Sequence, residues 1–404
     1  MEPWRKNLYI SWASQLLCIL GFSAVFPFIP FYLQDLGVTD SNQVKLWTGW
    51  ISTGGQLTMA VFAPIWGSLA DRYGRKIMVE RAAFGGAIMV LLIAFATSAP
   101  QLLVLRTIQG VFSGTVAAFT TLVVCSTPRN KVGFSLGMMQ MAVYSGSSGG
   151  PLLGGLIADH FGYRAAFMAC AGMLLLGGLI AWRLVREEFT PVQVQRSNFM
   201  HEARDLFTHK AIVVMLVVLF SLNFTNSMVK PLLPLFIQSL QASEERLATI
   251  TGLIQGAAAL SSAIAAAMIG RVSDRLGHRR VLLACALGAA ALYLPQAFVK
   301  STGQFFALEV LLGIFLGGLI PSANAVIALA VDEAKRGATY GLTASAGSAG
   351  RAFGPALGSA VAVSRDIRAL FPTATVLYMV IALWVALTVP RVQRAEAAKP
   401  IKSG

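Results

Sequence analysis

Long apolar segments alternate with short polar ones over almost the whole of this 404-residue chain. Each apolar segment runs for about 18 residues or more with few charges, which is long enough for a helix to cross a hydrocarbon core of ~30 Å. Lipid offers backbone groups no hydrogen-bond partners, so each segment is predicted to be helical. The pattern predicts twelve transmembrane helices with approximate limits 9–33, 46–66, 77–98, 101–125, 133–158, 163–184, 210–238, 247–269, 280–299, 303–330, 338–361 and 370–389.

The second half of the chain repeats landmarks of the first at offsets of 203 or 204 residues. The matched positions are Pro27 and Pro231, Pro30 and Pro234, Gly67 and Gly270, Gly110 and Gly313, Gly133 and Gly337, Pro151 and Pro355, and Arg164 and Arg368. The repeat predicts two pseudo-symmetric six-helix bundles, residues 1–185 and 210–404, the second ending in a short cytoplasmic tail. The polar stretch 186–209 is predicted to be a cytoplasmic linker. A repeat of this kind places a substrate path between the halves, near the bilayer midplane.

Composition supports a membrane protein. The chain is 56% hydrophobic and 12% charged, whereas soluble domains carry about 25% charged residues. The net charge of +14 is spread over short loops beside apolar segments, which argues for membrane orientation rather than for a nucleic-acid partner. The four cysteines lie inside apolar segments without paired spacing, so they are interpreted as small buried hydrophobes rather than a disulfide or metal set.

The basic residues also predict orientation. Of the 32 Lys and Arg residues, three lie deep within predicted helices, six lie in loops or at helix ends on one side of the membrane, and the other 23 lie in loops or at helix ends on the other side. The six are Lys45, Arg164, Arg246, Lys300, Arg365 and Arg368. Since basic loops stay cytoplasmic, the chain is predicted to be a multi-pass protein of the cell (inner) membrane with both termini in the cytoplasm.

Two glycine-punctuated charged loops stand at equivalent points of the two halves. They contain Gly67, Asp71, Arg72, Gly74 and Arg75, and Gly270, Asp274, Arg275, Gly277 and Arg279. The shared pattern, G-x-x-x-D-R-x-G-[RH]-[KR], resembles the loop between the second and third helices of the major facilitator superfamily. The resemblance implies that these loops take part in gating. A purely topological role is the alternative.

Three further stretches resemble the twelve-helix drug:proton antiporters of that superfamily. They are Phe26–Gly37 in the first helix, Leu105–Gly114 in the fourth and Gly146–Gly155 in the fifth. The last matches the antiporter signature G-x-x-x-G-P-x-x-G-G through Gly146, Gly150, Pro151, Gly154 and Gly155. Small residues allow close helix packing and proline bends a helix. Plain packing is the alternative, because Gly350–Gly358 is a partial second copy.

The resemblance implies an all-α membrane protein of the major facilitator fold that exports amphipathic drugs or related small molecules. Export would proceed by alternating access and proton antiport. The expected partners are a small-molecule substrate, protons and the lipid bilayer, with no cofactor besides the proton gradient, and the protein is expected to be a monomer. One alternative is a carrier of a specific metabolite or organic anion on the same fold. Another is a membrane sensor or lipid-handling protein.

An enzyme is not expected. The sequence shows no nucleotide-binding loop, no metal-ligand spacing and no Ser/His/Asp set. All four histidines fall in loops or at the ends of the predicted helices, namely His160, His201, His209 and His278.

Charges within membrane helices mark functional paths, because burying them in lipid is costly. Arg106 matches the arginine to which the antiporter branch assigns proton transfer, although arginine does not itself release a proton; snorkelling to the interface is the alternative. Glu309 occupies the position equivalent to Arg106 and is the acidic residue placed well inside a predicted helix. It is the candidate proton-coupling residue, with Arg106, Lys230 or Arg351 as counter-charge. A structural ion pair or an interfacial position is the alternative.

The first helix lacks the acidic residue that several drug antiporters carry, while Lys230 and Arg351 add buried positive charge. This balance suits an anionic or zwitterionic substrate. Polar and aromatic positions on the inner helices are candidates for a largely apolar cavity with a few oriented polar groups. The candidates are Phe26, Tyr32, Gln56, Gln109, Gln140, Tyr144, Asn226, Lys230, Gln255, Asn324 and Arg351.

Overall fold

The computed structural model describes residues 2–187, 210–240, 245–330 and 336–388, and these ranges consist of helices joined by short turns. Twelve helical segments, here called spans 1 to 12, follow one another in them. They are Pro3–Asp35, Ser41–Tyr73, Arg75–Ala94, Ala99–Ser126, Val132–Phe161, Tyr163–Leu184, Lys210–Leu240, Leu247–Leu276, His278–Gln296, Thr302–Ala330, Arg336–Ser364 and Ile367–Thr388. The all-helical prediction is confirmed. Most of the predicted linker, at 188–209, and the tail after Thr388 lie outside the described residues.

Eight of the described helices are long and apolar enough to cross a membrane by length and composition. The four long helices that fall outside this group are spans 2, 5, 9 and 11. Spans 2, 5 and 11 pack against the other half of the protein. Their polar and small residues therefore meet protein on that side, and such a helix need not be apolar all round.

The two halves have the same internal packing. In the first, span 1 packs on spans 5 and 6, span 2 on span 4 and span 3 on span 6. In the second, span 7 packs on spans 11 and 12, span 8 on span 10 and span 9 on span 12. The halves meet along two seams, span 5 with span 8 and span 2 with span 11. The core is thus two equivalent bundles with a shared central surface.

Spans 1 and 7 are interrupted at equivalent points. Span 1 comprises Pro3–Val25 and Ile29–Asp35, joined by a 3₁₀ turn at Phe26–Phe28. Span 7 comprises Lys210–Val229 and Leu233–Leu240, joined by a 3₁₀ turn at Lys230–Leu232. Each turn contains a proline, which has no N–H to donate to the preceding turn of helix. The interruptions direct Phe26 and Lys230, equivalent positions 204 residues apart, toward the centre of the protein.

Span 4 is broken at Ser113–Gly114, between Ala99–Phe112 and Thr115–Ser126. Gly114 has a φ angle of 116°, which glycine adopts readily because it has no Cβ atom. A break at membrane depth frees backbone carbonyls that need donors. The indole of Trp66 donates to the Val111 carbonyl (2.7 Å), and Arg81, stacked on Trp66, donates to the carbonyls of Val111 and Ser113.

The two charged loops form tight turns at one end of the bundle, here called the basic face; the other end is the opposite face. Gly74 and Gly277 join the helices at these turns with φ 103° and 91°. The second residue after each of these glycines is basic, and it donates to the last turn of the half's final span. Lys76 reaches the Trp182 carbonyl and Arg279 the Ala386 carbonyl, both at 2.7 Å. The turns are thereby tied to their own bundles.

Candidate functional site

A central cavity of about 300 Å³ lies between the two halves. Its wall combines aromatic and proline side chains with three cationic ones. It is formed by Phe22, Ser23, Phe26, Pro27, Ile29, Ser52, Gln56, Arg106, Ser147, Pro151, Ser227, Lys230, Pro231, Gln255, Ala259, Arg351 and Pro355. Both halves contribute to it, so a molecule bound there touches both bundles.

A second cavity of about 500 Å³ adjoins the first and extends toward the basic face along span 4. The two share Phe22, Phe26, Gln56 and Arg106. The remaining wall of the second cavity is made mostly of small and hydroxyl-bearing residues of the first half, together with Met59, Gln109 and Val116, and it includes the segment that follows the break in span 4. The central cavity therefore continues toward the basic face.

The protein is closed at the opposite face. The Gln34 and Gln238 side-chain amides, at the ends of spans 1 and 7, exchange hydrogen bonds of 3.0 and 3.2 Å. The Asp159 carboxylate, at the end of span 5, accepts from the backbone N–H groups of Ala248 (3.2 Å) and Thr249 (2.7 Å) at the start of span 8. A carboxylate suits a helix N-terminus, where N–H groups lack partners inside the helix. Asp159 thus fastens one half to the other.

The seam between spans 5 and 8 separates toward the basic face. A methyl group on Gly256 would lie 2.5 Å from the Ser148 carbonyl, but one on Gly137 or Gly133, nearer the basic face, would meet nothing within 4 Å. Leu260, on span 8 just beyond Gly256, is exposed. The arrangement is closed at the opposite face and open at the basic face.

Asp159→Asn removes the charge that stabilises the start of span 8 and is expected to weaken closure by about 1 kcal/mol, roughly a fivefold shift toward opening. Ser227→Cys in the cavity wall should then react faster with an impermeant maleimide added at the opposite face. Asp40→Asn is the matched control, because Asp40 caps span 2 within its own half (3.3 and 3.2 Å). Equal labelling in the two variants would contradict a role for Asp159 in closure.

The three cations of the wall have different surroundings. The Arg106 guanidinium lies 3.9 Å from the ring centroid of Phe26 and donates to the Gln109 side chain. Arg351 donates to the Asn223 side-chain oxygen and the Ser348 hydroxyl, both at 2.9 Å. Lys230 is exposed to the cavity although it lies deep within the bundle. Over the described ranges, none of the three forms an ion pair.

Glu309 lies behind the cavity wall rather than on it. It is 7% exposed, and Gln296 donates to its carboxylate at 3.2 Å. Its charge interacts with that of Lys230. Of the predicted counter-charges, Lys230 is therefore the one that the fold brings to Glu309. Arg106, on the other side of the pseudo-symmetry axis, is covered by Phe26.

These residues form equivalent pairs of different chemistry. Phe26 and Lys230 are 204 positions apart, and Arg106 and Glu309 are 203 apart. The first half thus places an aromatic ring against an arginine, where the second places a lysine near a glutamate. The two halves share the same helix arrangement, but at this depth in the bundle only the second half contains a carboxyl group.

The glycine motif of span 5 serves two different contacts. A methyl group on Gly150 or Gly154 would lie 2.7 or 1.7 Å from the carbonyl oxygen of Leu20 or Ala24, which belong to span 1 of the same half. Gly354 and Gly358 stand equally close to span 7, so this packing is common to both halves. On Gly155, in contrast, the methyl group would lie 2.3 Å from the carbonyl of Ala248 in the other half.

The prolines of the motif and its partial copy lie at the seams between the halves. Methyl groups on Gly252 and Gly49 would lie 2.1 and 3.0 Å from the carbonyls of Pro151 and Pro355, respectively. Gly252 is on span 8 and Gly49 on span 2, so each contact joins opposite halves. Both prolines also line the central cavity. The same two prolines therefore belong both to the seams between the halves and to the cavity wall.

The predicted loop residues contact their own half. Asp71 forms a 3.5 Å ion pair with Arg75, and Arg72 lies over the Tyr73 ring. In the second loop, His278 lies 3.9 Å from Asp274. A methyl group on Gly67 or Gly270 would meet nothing within 4 Å. This agrees with a basic face that is open.

Several predicted cavity residues lie elsewhere. Tyr32 is fully buried beside the Phe167 ring, and its hydroxyl donates to the Ile93 carbonyl at 3.0 Å, so it holds span 1 to span 3. Neither cavity is lined by Gln140, Tyr144, Asn226 or Asn324. The sequence predicts which helix each of these residues belongs to and how deep in the membrane it lies. Which side of a helix faces the cavity depends on the packing between helices.

Two carboxylates form structural contacts that the sequence pattern did not predict. One is Asp159. The other is Glu187, which accepts from the backbone N–H groups of Arg75 (3.0 Å) and Lys76 (2.8 Å) at the start of span 3. Both carboxylates cap a helix that is distant in the chain. The available signal was an acidic residue in the last turn of one helix, or just after it, on the face of the protein where another helix starts.

Among the described residues, no group of three or more His, Cys, Asp or Glu side chains is arranged to hold a metal ion. The residues of the central site provide groups for binding and charge. The site combines aromatic rings, three cations and a carboxyl group set behind one of them.

Known proteins resemble the chain over nearly all of its length. The family model described as Major Facilitator Superfamily matches residues 11–251 and 215–403. Multidrug resistance protein MdtG of Serratia proteamaculans is 33% identical, covering 91% of this chain and 90% of that protein. MdtG of Yersinia enterocolitica is 32% identical, covering 94% and 92%. Among solved structures, a bacterial homologue of the human lysosomal transporter Spinster, inward-facing and occupied, has a TM-score of 0.82 at 13% identity, covering 96% and 97%.

Proposed function

This chain belongs to the major facilitator superfamily, and we propose that it exports drugs and related amphipathic small molecules across the membrane by alternating access. The observation that carries the proposal is the central cavity, which is built by both halves, closed at one face and continued toward the other. Relatives at 31–33% identity are named multidrug resistance proteins, and they cover at least nine-tenths of this chain. Members of the superfamily are transporters rather than enzymes.

The basic face is proposed to be cytoplasmic and the membrane to be the cell membrane. The support is the excess of Lys and Arg on that face, since basic loops remain inside. In this orientation both termini are cytoplasmic, and the cavity continues toward the cytoplasm. The structure then corresponds to the inward-facing half of the cycle, in which substrate enters from the cell interior or inner leaflet.

Alternating access requires that the contacts of the opposite face break while contacts at the basic face form. Asp159 and the Gln34–Gln238 pair are proposed to open in the outward-facing state. The loops containing Asp71 and Asp274 are proposed to join the halves in that state, whereas in this structure Asp71 pairs with Arg75 and Asp274 lies near His278, each within its own half. The halves rock about the glycine and proline seams of the central cavity.

Proton entry is proposed to drive the export of neutral and cationic substrates, with Glu309 as the proton carrier. The support is that Glu309 is a buried carboxyl group at the position equivalent to Arg106, which lines the cavity. Since an intramembrane carboxyl group is costly to keep charged, protonation from one side and release to the other gives each conformation a preferred charge state. Arg106 is proposed to hold polar groups or water on the first half's side. A monomer is the proposed functional unit.

The test is efflux of a fluorescent neutral amphiphile from proteoliposomes across an imposed pH gradient. Protein-dependent efflux should appear when the proton gradient is directed inward, so that proton entry can drive dye out, and it should collapse with a protonophore. Liposomes without protein give the background. Efflux at background level with correctly folded, inserted protein would contradict the proposed function.

A further inference from the structure

The wall of the central cavity carries positive charge without negative charge. Arg106, Lys230 and Arg351 all line it, and none of the lining residues that the structure describes is acidic. Within the described part of the chain, none of these cations is ion-paired. A cation held in a low-dielectric interior without a counter-charge is unfavourable, and an anion that enters relieves this cost.

The three cations are not equally available to a ligand. Arg106 is covered by the Phe26 ring and bonded to Gln109. Arg351 has two neutral acceptors, Asn223 and Ser348, which orient the guanidinium without neutralising it. Lys230 is exposed to the cavity and has no hydrogen bond among the described contacts. The cations of the second half are therefore the ones free to take an anionic group.

The apolar part of the same cavity belongs mainly to the first half. Phe22 and Phe26 stack with ring centroids 5.5 Å apart, and Pro27 and Ile29 continue that surface. Aromatic and aliphatic surface binds the body of an amphiphile, while a few charged groups fix its orientation. The cavity is thus apolar on one side and positively charged on the other.

We infer that this cavity binds amphipathic organic anions, with the anionic group held by Lys230 and Arg351 and the apolar body against Phe22 and Phe26. The inference rests on the proposed function, because it assigns a substrate class to the proposed export site. Neutral and cationic amphiphiles use the apolar surface without the two cations. An anion also forms charge-assisted hydrogen bonds with the two cations, which neutral and cationic amphiphiles cannot form.

The carboxylate whose charge acts on Lys230 is that of Glu309, which is buried behind the wall. A bound anion and an ionised Glu309 repel each other, so an anion cannot be exchanged for the Glu309 proton as a cation can. An anion leaving an inside-negative compartment instead moves down the electrical gradient, at about 2.3 kcal/mol per charge for 100 mV. The membrane potential therefore suffices to drive anion export.

The experiment uses one dansyl fluorophore on a six-carbon chain that ends in a sulfonate, an alcohol or a trimethylammonium group. The three probes share their apolar body and differ in a charge that does not titrate near neutral pH. Each is loaded into proteoliposomes with wild-type protein, and efflux is followed under an inside-negative potential alone and under a pH gradient alone. The sulfonate should leave under the potential, and the alcohol and the ammonium probe should need the pH gradient.

The variants Lys230→Gln and Arg351→Gln should each slow sulfonate efflux about tenfold or more, while equilibrium exchange of the alcohol, which needs no net proton movement through Glu309, stays within about twofold of wild type. Lys230→Arg should restore most sulfonate efflux, because it restores the charge. Lys300→Gln is the matched control, since Lys300 is an exposed lysine at the opposite face and should leave all three probes unaffected.

The outcomes separate the two proposals. If the alcohol or ammonium probe is exported and the sulfonate is not, the anion site is refuted and the export function stands. Equal losses for all three probes in Lys230→Gln and Arg351→Gln would also refute it, because they indicate a structural role. Background efflux of every probe would overturn the proposed function itself.

Discussion

Replacing Glu309 by glutamine should abolish pH-gradient-driven efflux of a neutral amphiphile. The amide retains an oxygen that can accept from Gln296, which now donates to the Glu309 carboxylate at 3.2 Å, so the fold is preserved. It cannot take up or release a proton, so the variant is held in one charge state. Exchange of labelled for unlabelled dye, which needs no net proton movement, should continue. The measurement compares gradient-driven efflux with equilibrium exchange in the same proteoliposomes.

Glu80→Gln is the control for this substitution. Glu80 also lies in a span but close to the basic face, where it forms a 3.8 Å ion pair with Lys76. An ion pair of this partly exposed kind contributes little, about 0–1 kcal/mol, so driven efflux should survive. If Glu309→Gln retains wild-type driven efflux, proton coupling lies elsewhere in the chain. If both driven efflux and exchange are lost, the residue is structural.

Gly154→Ala and Gly155→Ala should have large but different effects, although the residues are neighbours. The added methyl group at Gly154 would lie 1.7 Å from the carbonyl oxygen of Ala24 in the same bundle. Overpacking of this kind costs about 1–3 kcal/mol or more, so Gly154→Ala should lower thermal stability and the yield of folded protein. Tryptophan-detected thermal unfolding in detergent measures this.

Gly155→Ala should leave the bundles folded and shift the conformational equilibrium. Its methyl group would lie 2.3 Å from the carbonyl of Ala248 in the other half, and separation of the halves at the opposite face relieves the overlap. The cost then falls on the inward-facing state alone, and about 1–3 kcal/mol displaces the equilibrium by roughly 5- to 150-fold. Cross-linking of Gln34→Cys to Gln238→Cys, which face each other when that face is closed, should fall accordingly.

Gly149→Ala serves as the control for both variants, because its methyl group would make only an ordinary 3.4 Å contact with the end of the Leu20 side chain. It should be near wild type in stability and cross-linking. Equal destabilisation by Gly154→Ala and Gly155→Ala would contradict the division of the motif between packing within a half and contact between halves.

The sequence by itself determined the class of protein, the number of helices and their pairing into repeats. These follow from chain-local physics. A segment of about 20 apolar residues can satisfy its backbone only as a helix in lipid, and the repeat offset assigns equivalent helices to equivalent places. The same offset paired Arg106 with Glu309 and Phe26 with Lys230.

Only the tertiary structure decided which side of each helix faces the cavity. Tyr32 was a plausible cavity residue by depth, but its hydroxyl reaches a carbonyl of span 3. The glycine motif appeared as one unit in the sequence, whereas Gly154 and Gly155 contact different halves. Asp159 and Glu187 cap helices that lie far away in the chain. Such contacts depend on the rotation and approach of helices, which many residues fix together, so no local pattern encodes them.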